Sequence, residues 1–286
     1  MNKYRTLLFS LALLYTCFCR AQTGEKPITI GHSINLASSY LKEDRTINIY
    51  LPENYQANDT VKYPVIYILD GGLEEDFLHL TGIVRFNTQS WIARFPPSIV
   101  VGIAGNTRKQ DFTFAVKNLD FLKKEGFPAS GFPKYGGSEA YMNFIEKELQ
   151  PYLNKNYSVG SKRTIIGESL AGLFATEVLL KRPALFDDYI IISPSLWWDG
   201  GSLLNHAARL LSTHLKKPVN VYLGVPSKEE DTRMYAAAAS LNQVIRKNKN
   251  IHSVFDYMPE ELHSTVIHQA VYNAFKKLYP KTAYSK

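Results

Sequence analysis

The chain has 286 residues, of which 45% are hydrophobic, 13% aromatic and 21% charged, and its formal net charge is +7. This composition excludes a disordered chain, a collagen and a coiled coil, and the length suffices for one sizeable hydrophobic core. Lys and Arg residues are scattered singly or in pairs, which argues against binding to nucleic acid.

The first 21 residues have the pattern of a secretory signal peptide. Lys3 and Arg5 precede an apolar run at positions 7–14, and Ala21 is a small residue of the kind that signal peptidase accepts. The run is too short for a transmembrane helix of ~20 residues. We therefore predict that Met1–Ala21 is removed and that the mature chain is periplasmic or secreted, without stable membrane insertion.

Both cysteines, Cys17 and Cys19, lie inside the predicted signal peptide. The mature chain then has no disulfide, no cysteine nucleophile and no thiolate metal site. A lipid anchor on one of these cysteines is the less favoured alternative, because Tyr15 stands where lipoproteins carry small residues. Removal of Met1–Ala21 takes away three basic residues and lowers the net charge to +4.

Extended and helical patterns alternate along the rest of the chain. Near-continuous apolar runs that end at Gly, Pro or Asp predict strands, and apolar residues at helical spacing predict helices. In chain order, the predicted strands are Thr46–Leu51, Tyr63–Leu69, Ser98–Ala104, Arg163–Ile166, Tyr189–Ser193, Val219–Gly224 and His252–Met258. The predicted helices are Glu74–Arg94, Ser138–Leu153 with Ser138 as N-cap, Leu170–Lys181, Ser202–Leu215, Thr232–Lys247 and Ser264–Leu278.

This alternation predicts one α/β domain over residues 22–286, with a mainly parallel sheet and helices on both faces. A stretch rich in Gly and Pro, from Leu119 to Gly137, is predicted to be a loop that could lie over a site.

The sharpest local motif is Gly167-Glu168-Ser169-Leu170-Ala171-Gly172, which we interpret as a G-x-S-x-G nucleophile turn between a strand and a helix. Such a turn projects the Ser169 hydroxyl above the sheet, and the N–H of Leu170 is placed to stabilise an oxyanion. A second donor is expected after the strand Tyr63–Leu69, from the backbone of Gly71 or Gly72.

A serine nucleophile needs a base, and the order Ser, acid, His restricts the choice of histidine. His263 follows the last predicted strand and is our candidate for the base, in preference to His252 and His268. The loop after Val219–Gly224 offers three acids that the residues alone do not separate: Glu229, Glu230 and Asp231. Asp199 is an outside candidate, and Trp197 and Trp198 are candidates for a pocket wall.

Several segments, in this order, resemble the putative-esterase family of α/β-hydrolases, which includes esterase D and siderophore esterases of the Fes and IroE type. They are Leu51–Tyr55, Tyr63–Gly71, Asn106–Arg108 with Asp111–Thr113, Gly167–Gly172, Ser193–Trp198 and Glu261–His263. The resemblance covers essentially the whole mature chain. It implies an α/β-hydrolase fold, Ser169 as nucleophile and His263 as base. It also favours Glu230 as the acid and implies that Arg108 lies at the mouth of the site.

Together these features predict an exported serine esterase with a Ser-His-acid triad and with no metal or organic cofactor. The resemblance leans towards a ferric catecholate siderophore lactone as substrate. The alternatives are a feruloyl or acetyl carbohydrate esterase acting on oligosaccharides, an acyltransferase on the same scaffold, and a binding protein without catalysis. The sequence does not indicate an oligomeric state.

Overall fold

The computed structural model describes residues 26–57 and 60–280, so the predicted signal peptide lies outside the described residues. The chain divides into two units, Met1–Ile30 and Gly31–Lys286. All the elements below belong to the second unit.

The described residues form one eight-stranded sheet, with strand order β1-β2-β4-β3-β5-β6-β7-β8. Strand β1 pairs antiparallel with β2, and β2 pairs antiparallel with β4. The six strands β3 to β8 run parallel to one another. The bounds are β1 His32–Ser38, β2 Glu43–Tyr50, β3 Tyr63–Leu69, β4 Ile99–Ile103, β5 Val159–Glu168, β6 Asp188–Ile192, β7 Val219–Val225 and β8 Ile251–Tyr257.

Helices connect the parallel strands. They are α1 Phe77–Thr88, α2 Arg108–Asp111, α3 Asp120–Lys124, α4 Ser138–Phe144, α5 Gln150–Asn156, α6 Leu170–Lys181, α7 Ser202–His214, α8 Thr232–Ile245 and α9 Val266–Leu278. A π-helical turn, Ile145–Leu149, joins α4 to α5. The predicted α/β-hydrolase architecture is confirmed.

The sheet separates two hydrophobic layers because successive side chains of a strand point to opposite faces. In β3, Tyr67 packs into the layer that contains α6, whereas Ile66 and Ile68 pack into the layer that contains α1 and α9. Strand β3 pairs with parallel neighbours on both sides and is buried on both faces, as its near-continuous apolar sequence predicts.

The structure differs from the predicted elements at several places, of which four concern whole elements, caps or loops near the site or the sheet edge. The first strand, His32–Ser38, was not predicted, because its mostly polar, largely exposed edge sequence gives a weak signal. The predicted helix Glu74–Arg94 is limited to α1, since the chain turns extended at Gln89. Gly137, rather than Ser138, is the N-cap of α4. The predicted loop from Leu119 to Gly137 contains the short helix α3 and a 3-10 turn, Ala129–Gly131.

Parallel strands place their carboxyl ends at one edge of the sheet, and three strained residues gather there. Asp70, Ser169 and Ser193 directly follow β3, β5 and β6, and their φ angles are 52°, 60° and 41°. Positive φ is costly for residues other than glycine, and such strain concentrates at functional sites. A functional site is therefore expected at this edge of the sheet.

No helix within the described residues is long and apolar enough to cross a membrane. The same part of the chain contains no group of three His, Cys, Asp or Glu side chains arranged to hold a metal ion.

Candidate active site

Ser169 occupies a sharp turn between β5 and α6. Its φ and ψ are 60° and −118°, its N–H donates to the carbonyl of Ile192 at 3.0 Å, and its carbonyl accepts from the N–H of Leu173 at 2.9 Å. These bonds hold the strained backbone from both sides, and the hydroxyl lies 3.4 Å from Ser195 Oγ. The geometry is that of a nucleophile turn.

The motif departs from G-x-S-x-G by one position, because Ala171 takes the last place and Gly172 follows it. The backbone nevertheless requires both glycines. A Cβ at Gly167 would lie 2.5 Å from the carbonyl oxygen of Ala171, and a Cβ at Gly172 would lie 2.8 Å from that of Ile192. Glycine thus permits α6 to approach β5 and β6 closely enough to form the turn.

Ser169 and His263 line one cavity of about 260 Å³. Its other walls come from the loops after β6 and β7, from α8 and from the segment between α3 and α4. They include Phe127, Ser193, Ser195, Trp197, Glu230, Met234 and Tyr235. The cavity therefore brings the predicted nucleophile and the predicted base together.

His263 is half-buried in the loop between β8 and α9. Its Nδ1 lies 3.0 Å from Ser193 Oγ. Burial lowers the pKa of the imidazole, the carboxylate of Glu230 raises it, and the charge of Arg108 lowers it. The net effect is a lowered pKa, which keeps the ring neutral and able to accept a proton near pH 7.

The other candidate histidines lie outside the residues that line this cavity. His252 is an exposed residue of β8. His268, in α9, pairs with Asp76 at 3.2 Å and stacks on His79.

The acids of the loop after β7 have different partners. Glu230 approaches His263, but its Oε2 accepts the main-chain N–H at 2.5 Å and not a ring nitrogen. This contact does not place Glu230 on the imidazole ring, and the assignment of Glu230 as the triad acid stays a prediction. The spacing in the sequence does not determine which donor of His263 faces the carboxylate. Asp231 caps α8 by accepting from the N–H groups of Arg233 and Met234.

Glu229 and Asp199 do not serve as the acid in this structure. Glu229 is exposed and accepts hydrogen bonds from the hydroxyls of Ser227 and Tyr257. Asp199 lies in the turn Trp198–Gly201, and it is not among the residues that line the cavity.

A group of charged residues lies around Ser169. Arg108 donates through Nε to Asp70 at 2.8 Å and through Nη2 to the carbonyl of Glu168 at 3.5 Å. Glu168 Oε1 lies 3.7 Å from His263 Nε2 and is a buried oxygen without a hydrogen-bond partner in the described part of the chain. Burial raises the pKa of Glu168 to about 7 and that of Asp70 to about 6, although Arg108 opposes both shifts.

The predicted oxyanion donors are only partly placed as expected. Leu170 is the first residue of α6, where N–H groups have no partner within the helix. By contrast, the Gly71 N–H donates to the carbonyl of Ile103 at 2.8 Å, and the Gly72 N–H donates to Glu75 Oε2 at 2.6 Å. Both glycine amides are thus engaged, because the turn after β3 folds against β4 and onto the Glu75 side chain.

Trp197 and Trp198, both predicted to form a pocket wall, lie in different environments. Trp197 lines the cavity and stacks on Phe127, with ring centroids 5.1 Å apart and an angle of 30° between the planes. Trp198 is fully buried, and its Nε1 donates to the carbonyl of Phe114. The prediction of a pocket role for Trp198 is therefore wrong, since the turn after it directs the indole into the core. Phe127 confirms that the loop from Leu119 to Gly137 reaches the site.

Two residues of the site were not assigned a role from the sequence. Ser193, which contacts His263, lies in the motif Ser193–Trp198, so its place just after a buried strand was an available signal. Glu168 precedes the nucleophile, and a carboxylate at the variable position of a serine motif was also visible. Neither contact follows from spacing, because each joins segments that are distant in the chain.

Comparison with known proteins agrees with the fold and shows the family of this chain. The model of the family described as "Putative esterase" matches residues 38–278. The chain is 29% identical over 266 residues to ferri-bacillibactin esterase BesA of Bacillus subtilis, which covers 86% of this chain and 89% of BesA.

Solved structures give the same result. An IroE-like serine hydrolase from Shewanella oneidensis superposes with a TM-score of 0.78 at 28% identity, covering 87% of this chain and 80% of that one. The BES protein from Bacillus cereus superposes with a TM-score of 0.75 at 28% identity, covering 89% and 98% of the two chains. Because the family model spans nearly all the described residues, this chain belongs to the Putative esterase family of carboxylic ester hydrolases with the α/β-hydrolase fold.

Proposed function

We propose that this chain hydrolyses the ester bonds of a siderophore, with Ser169 as nucleophile and His263 as general base. The observation that carries the proposal is the presence of the strained Ser169 turn and the half-buried His263 in one cavity. The similarity to an esterase of ferri-bacillibactin and to an IroE-like serine hydrolase supports the choice of substrate class.

The reaction follows from the placement of these groups. Ser169 Oγ attacks the ester carbonyl carbon while its proton passes to His263 Nε2, and the N–H of Leu170 stabilises the oxyanion. The C–O bond then breaks, and the leaving alcohol takes the proton from His263. Water attacks the acyl-serine and gives a proton to His263, and the acid departs as that proton returns to Ser169 Oγ.

One wall of the cavity suits an aromatic substrate. The stacked pair of Phe127 and Trp197 presents flat apolar surface beside the nucleophile. Glu230 and Asp231 also line the cavity, whereas Arg108, which is partly exposed and paired with Asp70, lies outside the lining residues. A catecholate group has a ring that fits this aromatic wall, so a ferric catecholate lactone is the proposed substrate.

Product analysis tests this proposal. The purified protein is incubated with a ferric catecholate trilactone and, in parallel, with a feruloylated oligosaccharide, and the products are measured by liquid chromatography and mass spectrometry. We expect stepwise mass gains of one water per opened ester from the trilactone, and none with Ser169→Ala. Ser212→Ala, which changes an exposed serine of α7, is the control. Cleavage of the feruloyl ester alone would contradict the substrate, and transfer to an added alcohol would point to an acyltransferase.

Export through the Met1–Ala21 leader is part of the same proposal, because the leader has a basic start followed by an apolar run. Expression of the full chain followed by N-terminal sequencing of the exported fraction tests it. We expect a mature chain that begins at Gln22, and retention of Met1 in the soluble intracellular fraction would contradict it.

A further inference from the structure

We propose that Ser193 is a positioning residue for the base: its hydroxyl accepts the Nδ1–H of His263 in the place that a carboxylate takes in a Ser-His-acid triad. The inference rests on the proposed function, in which His263 is the general base. It gives the motif Ser193-Pro194-Ser195 a role in the reaction.

Two contacts of the Ser193 hydroxyl support this direction of the hydrogen bonds. Ser193 Oγ lies 3.0 Å from His263 Nδ1 and 3.0 Å from Met234 Sδ. A thioether sulfur accepts hydrogen bonds but cannot donate them, so in the contact with Met234 the hydroxyl is the donor, and we assign its proton to the sulfur and not to Nδ1. The oxygen then presents a lone pair to His263, and the bond is satisfied when Nδ1 carries the proton. Nε2 is left with the free lone pair that must accept the proton of Ser169.

Ser193 is held rigidly enough to act in this way. Its exposed fraction is 0%, its N–H donates to the carbonyl of Gly224 at 2.8 Å, and its φ of 41° is strained for a serine. Two residues later, the N–H of Ser195 donates to the carbonyl of Ser169 at 3.0 Å. One short segment therefore contacts both the base and the nucleophile and fixes them relative to each other.

The neighbouring carboxylates do not take this position. Glu230 accepts the main-chain N–H of His263, and Glu168 lies 3.7 Å from Nε2, the opposite ring nitrogen. Asp231 is engaged at the start of α8. The ring orientation is thus assigned to a neutral hydroxyl, while Glu230 contributes negative charge that raises the pKa of His263 from a distance.

Nitrogen-15 NMR of the imidazole tests the assignment, since a merely structural serine would not change the histidine tautomer. In the wild type at a pH where His263 is neutral, we expect Nδ1 to be protonated and Nε2 to be unprotonated, with His263→Gln identifying the signals. Ser193→Ala should give a mixture of tautomers and lower kcat for 4-nitrophenyl acetate by roughly 10- to 100-fold, with KM changed less than twofold. Ser98→Ala is the matched control, because Ser98 is equally buried and donates to the carbonyl of Pro96, away from the cavity.

Met234→Leu provides a second variant if Ser193→Ala does not fold. It removes the sulfur acceptor with little change in volume, so the hydroxyl proton can turn towards Nδ1 and favour the wrong tautomer. We expect the same spectral change to a smaller extent. A wild-type tautomer and an unchanged kcat in folded Ser193→Ala would overturn the inference. A wild type that has the expected tautomer but cleaves no ester would instead contradict the proposed function.

Discussion

Glu168 offers a quantitative test of the electrostatics around the nucleophile. Its side chain is 19% exposed, and the pKa of its carboxyl is raised from 4.5 to about 7, chiefly by burial and further by Asp76 and Asp70. In the unfolded chain the carboxyl returns to its ordinary pKa. Between pH 4.5 and 7 the folded state therefore binds more protons, and the free energy of unfolding decreases as pH rises. At ~1.4 kcal/mol per pKa unit, this loss amounts to about 3 kcal/mol above pH 7.

Glu168→Gln keeps the size of the side chain and removes this titration. Urea unfolding at pH 5, 6, 7 and 8 should show a variant that gains stability over the wild type as pH rises, by about 3 kcal/mol at pH 8. Part of the pH dependence should remain, because Asp70 has a similarly raised pKa. Glu229→Gln is the control, since Glu229 is exposed and its pKa is lowered, so its difference from the wild type should be constant over this range. A pH-independent difference for Glu168→Gln would refute the reasoning.

Three further predictions concern the aromatic wall of the cavity, the turn at Ser169 and the N-terminal cap of α8. Phe127→Ala should raise KM for an aromatic ester about tenfold and leave KM for an aliphatic ester such as ethyl acetate nearly unchanged, because only the aromatic ester uses the stacked pair; equal effects on both would contradict this role. Gly172→Ala should lower the free energy of unfolding by ~1–3 kcal/mol in urea, since the new Cβ meets the carbonyl of Ile192, and an unchanged midpoint would exclude the clash. Asp231→Ala should cost ~1 kcal/mol through loss of the α8 cap yet retain esterase activity, and loss of activity at full stability would make Asp231 a catalytic acid.

The sequence predicted the buried elements better than the edges. Tyr63–Leu69 and Leu170–Lys181 have the predicted bounds, because apolar runs buried on all sides leave a strong pattern and end at residues that change backbone direction. The edge strand His32–Ser38 lacks that pattern, since burial constrains few of its side chains.

The site residues likewise differ in how well the sequence predicts them, because some depend on a local turn and others on contacts between distant loops. Ser169 was predictable because the nucleophile turn is local and needs glycine at fixed positions. The contact of Glu230 with the main chain of His263, and that of Ser193 with its ring, depend on how three loops meet. Local patterns carry no information on those distances, so the choice between an acid and a hydroxyl as ring partner required the structure.

The central claim, that Ser169 is a nucleophile activated by His263, is tested most directly by labelling with a fluorophosphonate probe. The purified protein is labelled, digested and mapped by mass spectrometry, and the experiment is repeated with Ser169→Ala and His263→Ala proteins that are shown to be folded. We predict one modified peptide that contains Ser169, no modification in Ser169→Ala, and strongly slowed modification in His263→Ala. A folded wild-type protein that stays unlabelled, or that is labelled at another serine, would contradict the claim.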